Sequence, residues 1–133
     1  MSQTLAPPRT TPCHVLIVED NPDGRESLRM LLELLGCQVE VAADGFEGVR
    51  KALAGHPGLA LIDIGLPGLD GYQVAGQLRD ALDGDILMVA CTAYGSADAR
   101  RRVELAGFDG HLIKPLDLDE LTPWLTRASA HAG

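Results

Sequence analysis

The sequence predicts one α/β domain, a parallel five-stranded sheet with helices on both faces, built as five successive β–α units. Two observations predict it. Five short apolar runs alternate with five amphipathic stretches, and that alternation implies parallel strands joined by right-handed helical crossovers. The run Leu59-Ala60-Leu61-Ile62-Asp63 ends on a carboxylate and passes at once into the turn Gly65-Leu66-Pro67-Gly68-Leu69-Asp70-Gly71. That is the pattern of a buried parallel strand whose carboxyl end carries the chemistry. Taken alone, Asp63 is either a site residue or a loop cap.

With 133 residues, 46% hydrophobic and 23% charged, the chain is long enough for a core and too apolar for disorder. Aromatics at 4% and a net charge of −8 argue against direct nucleic-acid binding, since bases lack stacking platforms and phosphates would be repelled. No apolar run reaches the length of a membrane span. Residues 1–12 contain Pro7, Pro8 and Pro12 but no apolar signal-peptide core, and are expected to form a flexible tail. The domain is expected over 13–128, with a short C-terminal tail at 129–133. Cys13, Cys37 and Cys91 are scattered and lie in or beside apolar runs, as buried free thiols of a cytoplasmic protein do.

The first strand is His14-Val15-Leu16-Ile17-Val18, ending on Glu19-Asp20. Asn21-Pro22-Asp23 then supplies a cap, a first-turn proline and a first-turn acid. Leu28, Leu31, Leu32 and Leu35 follow at helical spacing, and Gly36 closes the helix. Gln38 to Val41 is the second strand. Asp44 caps a helix whose inner face is expected to be Phe46, Val49 and Leu53, ending near Gly55. After the third strand, Asp70 caps a helix carrying Val74, Ala75, Leu78 and Leu82. Ile86 to Cys91 is the fourth strand, leading into Thr92. A helix from about Ser96 turns Ala99, Val103 and Ala106 inward and ends at Gly107. Gly110 to Ile113 is the fifth strand, ending on Lys114-Pro115. Asp117 and Glu120 form a capping box for a last helix with Leu118, Leu121 and Leu125 on one face. Pro123 should kink that helix or delay its start to Thr122.

Functional residue types therefore fall after four of the five strands: Glu19 and Asp20, Asp63, Thr92, and Lys114. In a parallel sheet these ends share one edge. Three carboxylates there repel one another unless a cation joins them, and magnesium suits a carboxylate cluster. A lysine and a hydroxyl beside them suit an incoming phosphoryl group. The chemistry this predicts is an aspartate that accepts a phosphoryl group with the help of Mg2+.

The motifs Val-Glu-Asp (18–20), Asp-Ile-Gly-Leu-Pro-Gly-Leu-Asp-Gly (63–71), Cys-Thr-Ala (91–93) and Lys-Pro (114–115), in this order, resemble the receiver domains of two-component response regulators. The resemblance implies the CheY-like, flavodoxin-like doubly wound fold with strand order 2-1-3-4-5. It implies that Asp63 is the phosphoacceptor, attacking a phosphohistidine of a histidine kinase or histidine phosphotransfer protein. Glu19, Asp20 and Asp63, with the backbone carbonyl of Gly65, would hold Mg2+. Lys114 would pair with Asp63 and then with the phosphoryl oxygens. Thr92 would turn toward them, passing the switch to a downstream protein partner. The Lys114-Pro115 bond would be cis. Such a protein is no enzyme beyond its own phosphorylation and dephosphorylation, and would be a monomer or weak dimer. Gly65 and Tyr94 occupy positions that tune phosphoryl lifetime in the family. The segment Gly107 to Pro115 is similar to receivers of hybrid histidine kinases, so the chain is expected to be a stand-alone regulator or such a domain.

Competing functions fit less well. A flavodoxin-like FMN-binding protein would need a Ser/Thr/Gly-rich loop where Glu19-Asp20-Asn21-Pro22 stands, and a P-loop is absent. A phosphorylation-independent scaffold would typically lack Asp63 or Lys114. Arg100-Arg101-Arg102 is expected to be a solvated helix face, Arg25 and Arg29 border the mouth of the site, and His14 and His56 lack metal-ligand spacing. His111 stands where the family usually has Tyr or Phe. If His111 follows Thr92 inward, phosphorylation-induced NMR shifts should differ between about pH 6 and about pH 8. Identical shifts, with His111 unmoved, would overturn that expectation.

Overall fold

The computed structural model describes residues 13–93 and 95–132; the tail at 1–12, Tyr94 and Gly133 lie outside the described residues. The strands are β1 (His14–Val18), β2 (Gln38–Ala42), β3 (Leu59–Asp63), β4 (Leu87–Thr92) and β5 (Gly110–Ile113). They form one parallel sheet in the order β2-β1-β3-β4-β5, with Val18 opposite Ile62 and Asp63 opposite Cys91. The helices are α1 (Pro22–Leu34), α2 (Gly45–Gly55), α3 (Gly71–Leu82), α4 (Ala97–Leu105) and α5 (Leu118–Ala132). The order is the flavodoxin-like one expected from the sequence.

Alternation along the strands divides the core in two, because successive side chains leave opposite faces of a sheet. Leu16, Val18, Ala60, Ile62, Met88 and Ala90 pack with residues of α2, α3 and α4. On the other face, Val15, Ile17, Leu61, Val89 and Leu112 pack with Leu32 of α1 and with Leu121, Leu125 and Ala128 of α5. The helix caps follow their sequence signals. The side chains of Asn21, Asp44 and Ser96 accept the N–H groups of Gly24, Glu47 and Ala99. Asp70 and Gln73 form a reciprocal capping box on α3.

Four expectations need correction. The inner face of α2 is Gly45, Gly48 and Ala52, one residue out of phase with the expected stripe; Phe46 is 66% exposed and Leu53 41%, while Val49 is partly buried against the core. The helix lies so close to the sheet that a Cβ on Gly48 would stand 2.9 Å from Val18 Cγ2, which leaves no room for a large side chain. In α1 only Leu32 is fully buried, and Leu35 is exposed as the C-cap. In α5 the Asp117 carboxylate accepts the N–H of Asp119 at 2.9 Å rather than that of Glu120, and Leu118 is exposed. Finally, α5 is not delayed by Pro123. It starts at Leu118 and continues to Ala132, through positions assigned to a C-terminal tail. Burial of Leu121, Leu125 and Ala128 outweighs the ~3 kcal/mol cost of an interior proline, and the Thr122 hydroxyl donates to the Leu118 carbonyl at 2.8 Å.

These placements set opposite expectations for two large apolar residues. Phe46→Ala should change unfolding free energy by less than about 0.5 kcal/mol in urea denaturation. Leu78→Ala should cost about 2–5 kcal/mol. Equal losses for the two would mean that α2 is turned by one residue.

Candidate functional site

The shared carboxyl edge of β1, β3 and β5 brings four of the expected residues together. One oxygen from each of Glu19, Asp20 and Asp63 lies within 4.8 Å of the other two. Lys114 Nζ stands among them, 2.7 Å from Glu19 Oε1 and 3.5 Å from Asp63 Oδ2. Glu19 and Asp63 are nearly buried, their side chains 12% and 14% exposed, whereas Asp20 is exposed. An all-oxygen donor set of this kind suits a hard divalent cation rather than a thiolate- or imidazole-seeking metal.

Backbone geometry fixes each member. The Gly65 N–H donates to Asp63 Oδ1 at 3.2 Å, and the Asn21 N–H donates to Glu19 Oε2 at 3.1 Å. Gly71 packs directly on the strand end, since a Cβ there would lie 2.5 Å from the Asp63 carbonyl oxygen and 2.8 Å from Ile64 Cα. Gly68 has φ +74°, a conformation that glycine adopts without strain. The Lys114 N–H donates to the Thr92 carbonyl at 2.8 Å, and the Lys114-Pro115 peptide is cis.

Thr92 is buried at the end of β4 and lines a cleft of about 590 Å³ with Ile64, Ala93 and Gly95. It stands one residue beyond Cys91, the register partner of Asp63. His111 is not in the carboxylate cluster. It pairs in register with Ala90 and lines a separate cleft of about 250 Å³ with Arg100, Val103, Glu104 and Asp109. Arg102 stacks on the Tyr72 ring, 4.5 Å from its centroid. His14 lies 3.8 Å from Glu40. Arg29 pairs with Glu26 and Glu33 along α1.

Sequence reasoning placed Arg25 at the mouth of the site and missed its internal role. Its guanidinium donates to the Glu19 carbonyl at 2.9 Å, fixing the loop that carries both acids. The target is a backbone oxygen that every residue possesses, so only the i, i+6 spacing between Glu19 and Arg25 hinted at it.

The carboxyls of Glu19 and Asp63 shift in opposite directions. Burial pushes Glu19 up, but the Lys114 hydrogen bond, the Asn21 N–H and the lysine charge together hold it below the ordinary glutamate value. Asp63 is raised above the ordinary aspartate value, chiefly by burial and then by the Glu19 charge, against the opposing Gly65 N–H and Lys114. For Lys114, burial is outweighed by the Glu19 hydrogen bond and both carboxylate charges, so its pKa rises. By linkage, Glu19 stabilises the fold above its ordinary pKa, and that contribution is lost as pH falls through the depressed value. Asp63 has the opposite sign: its contribution is present in acid and is lost as pH rises through the raised value. In EDTA at neutral pH, Asp63→Asn should therefore raise stability by about 1 kcal/mol, while Glu19→Gln should lower it by about as much. Equilibrium unfolding measures both, and shifts of the same sign would overturn the electrostatic assignment.

A family model described as the response regulator receiver domain matches residues 15–126. The chain is 40% identical over 107 residues to the transcriptional regulatory protein PrrA of Mycobacterium tuberculosis, covering 80% of this chain and 46% of that relative; it thus spans about half the length of PrrA. Among solved structures it resembles the receiver domain of the sensor histidine kinase PA1611 from Pseudomonas aeruginosa, described with a magnesium ion coordinated in its active-site cleft. That likeness has a TM-score of 0.81 and 32% identity, over 90% of this chain and 98% of that one. It also resembles the receiver domain of Ssk1 in a co-crystal with the histidine phosphotransfer protein Ypd1 of Saccharomyces cerevisiae, with a TM-score of 0.82 and 29% identity over 90% of both chains. On this fold, this cluster of residues and these matches, the chain belongs to the response regulator receiver domain family.

Proposed function

We propose that this receiver accepts a phosphoryl group on Asp63 from a phosphohistidine of a histidine kinase or histidine phosphotransfer protein. The observation that carries the reading is the convergence of three carboxylates at one sheet edge, two of them, Glu19 and Asp63, paired with Lys114. An Asp63 oxygen attacks phosphorus in line, the P–N bond to the donor imidazole breaks, and the imidazole keeps the electron pair. Lys114 carries a fixed positive charge toward the transferred oxygens, and the Thr92 hydroxyl is a donor for them once it turns from its buried position. Glu19, Asp20, Asp63 and the Gly65 carbonyl would hold Mg2+, which would supply positive charge against the phosphoryl oxygens.

The donor's docking surface lies beside the cluster. A groove of about 670 Å³ runs from Glu19 and Lys114 along Ser27, Leu28, Leu31 and Leu116. Its apolar wall and charged end fit a helix that presents a phosphohistidine. The Ssk1–Ypd1 complex supports a partner of this class. Thr92 and His111 project from the same side of the sheet on adjacent strands, which supports a joint switch to a downstream protein. Arg100, Glu104 and Asp109 line the same cleft as His111. No helix among the described residues is long and apolar enough to cross a membrane, and we place the protein in the cytoplasm, as a stand-alone regulator or a domain of a hybrid kinase.

Intact mass after acetyl phosphate treatment tests the reading. Wild type should gain one phosphoryl group only with Mg2+ present, and Asp63→Asn should gain none. No gain in wild type, together with no fluoroberyllate-induced NMR shift, would favour a phosphorylation-independent scaffold.

A further inference from the structure

Two buried thiols meet at the edge of the sheet opposite the carboxylates. β1 and β2 run in register from His14 opposite Gln38, and Cys13 and Cys37 each precede that pair by one residue. The Gln38 N–H donates to the Cys13 carbonyl at 2.8 Å, so the parallel ladder already includes Cys13. Both side chains join the same core cluster, on the face covered by α1 and α5. They are therefore neighbours across adjacent strands on one side of the sheet. The spacing of paired strands, about 4.8 Å, falls within the Cα separation of roughly 4.4–6.8 Å that a disulfide spans.

The pair is also reachable. Cys13 is 7% exposed and Cys37 9%, and both line a cleft of about 240 Å³ with Leu35, Gly36, Thr122 and Leu125. Each thiol shifts the ionisation of the other: their interaction pushes Cys13 up and brings Cys37 below the ordinary thiol value despite its burial. Cys37 is thus the first of the two to ionise. Cys91 differs. It lies inside β4, and burial pushes its thiol up to about 12.

We propose that Cys13 and Cys37 form a disulfide across the amino edge of the sheet, a redox-modification site separate from the carboxylate cluster. The oxidant is a low-molecular-weight disulfide of the glutathione class. The Cys37 thiolate attacks one of its sulfurs and expels one small thiolate. Cys13 then loses its proton and attacks the Cys37 sulfur of the mixed disulfide, releasing the second small thiol. Two protein thiols are oxidised and one small disulfide is reduced to two thiols. The bridge would close a loop containing β1 and all of α1, so oxidation ties the helix that walls the docking groove to β2.

The folded wild-type protein is incubated with oxidised glutathione, its remaining thiols are alkylated in denaturant, and intact mass and peptide mapping are read. The expected product is two hydrogens lighter than the reduced protein, carries one alkyl group on Cys91 and yields a linked Cys13–Cys37 peptide. Its Tm should be higher by on the order of 10 °C, reversibly with dithiothreitol. Cys37→Ser should show no linkage, and Asp63→Asn should oxidise like wild type, which separates this site from phosphorylation. Three alkylatable thiols after incubation, a lasting glutathione adduct on Cys37, or a link involving Cys91 would each overturn the proposal.

Discussion

The Lys114 ammonium, held between Glu19 and Asp63, is the interaction on which the site depends. Two carboxylates within 4.8 Å repel by roughly 3 kcal/mol at the effective dielectric of a protein surface, and Asp20 adds a third charge. One lysine 2.7 Å and 3.5 Å from the two inner acids makes their approach tolerable, and a divalent cation would complete the balance. The tension remains visible in the titration, where Glu19 is held down and Asp63 is pushed up. A carboxylate poised in this way is an aspartate whose charge the fold bears rather than welcomes, which suits the phosphoacceptor role proposed for Asp63.

Everything else positions that group. Parallel pairing brings three strand ends to one edge, and two apolar layers hold the strands from both sides. Arg25 pins the β1–α1 loop through the Glu19 carbonyl. Gly71 lets α3 start directly against the Asp63 backbone. The backbone bond from Lys114 to Thr92 ties the cation's strand to the strand carrying the hydroxyl.

Much of this was legible in the sequence because strands and caps are local signals. Glu19, Asp20, Asp63 and Lys114 could be grouped because each follows an apolar run and topology does the rest. The phase of α2 was not legible. Phe46, Val49 and Leu53 have the right spacing, but Gly45, Gly48 and Ala52 have it as well, and only the closeness of helix to sheet selects the small residues. The run of α5 through Pro123 depended on tertiary burial of Leu121, Leu125 and Ala128. Arg25 acts on a backbone oxygen, and cross-strand neighbours such as Cys13 and Cys37 emerge only from the register.

The register has a consequence for how this chain can change over time. A one-residue insertion within β3 would turn the strand's side chains to the opposite face and carry Asp63 away from Lys114, disturbing core and site together. The exposed turn at Asp83–Asp85, at the other edge, carries none of the cluster residues and can vary in length at little cost. One rim of the sheet is thereby closed to insertion and deletion, while the other is where lineages of this domain can drift apart.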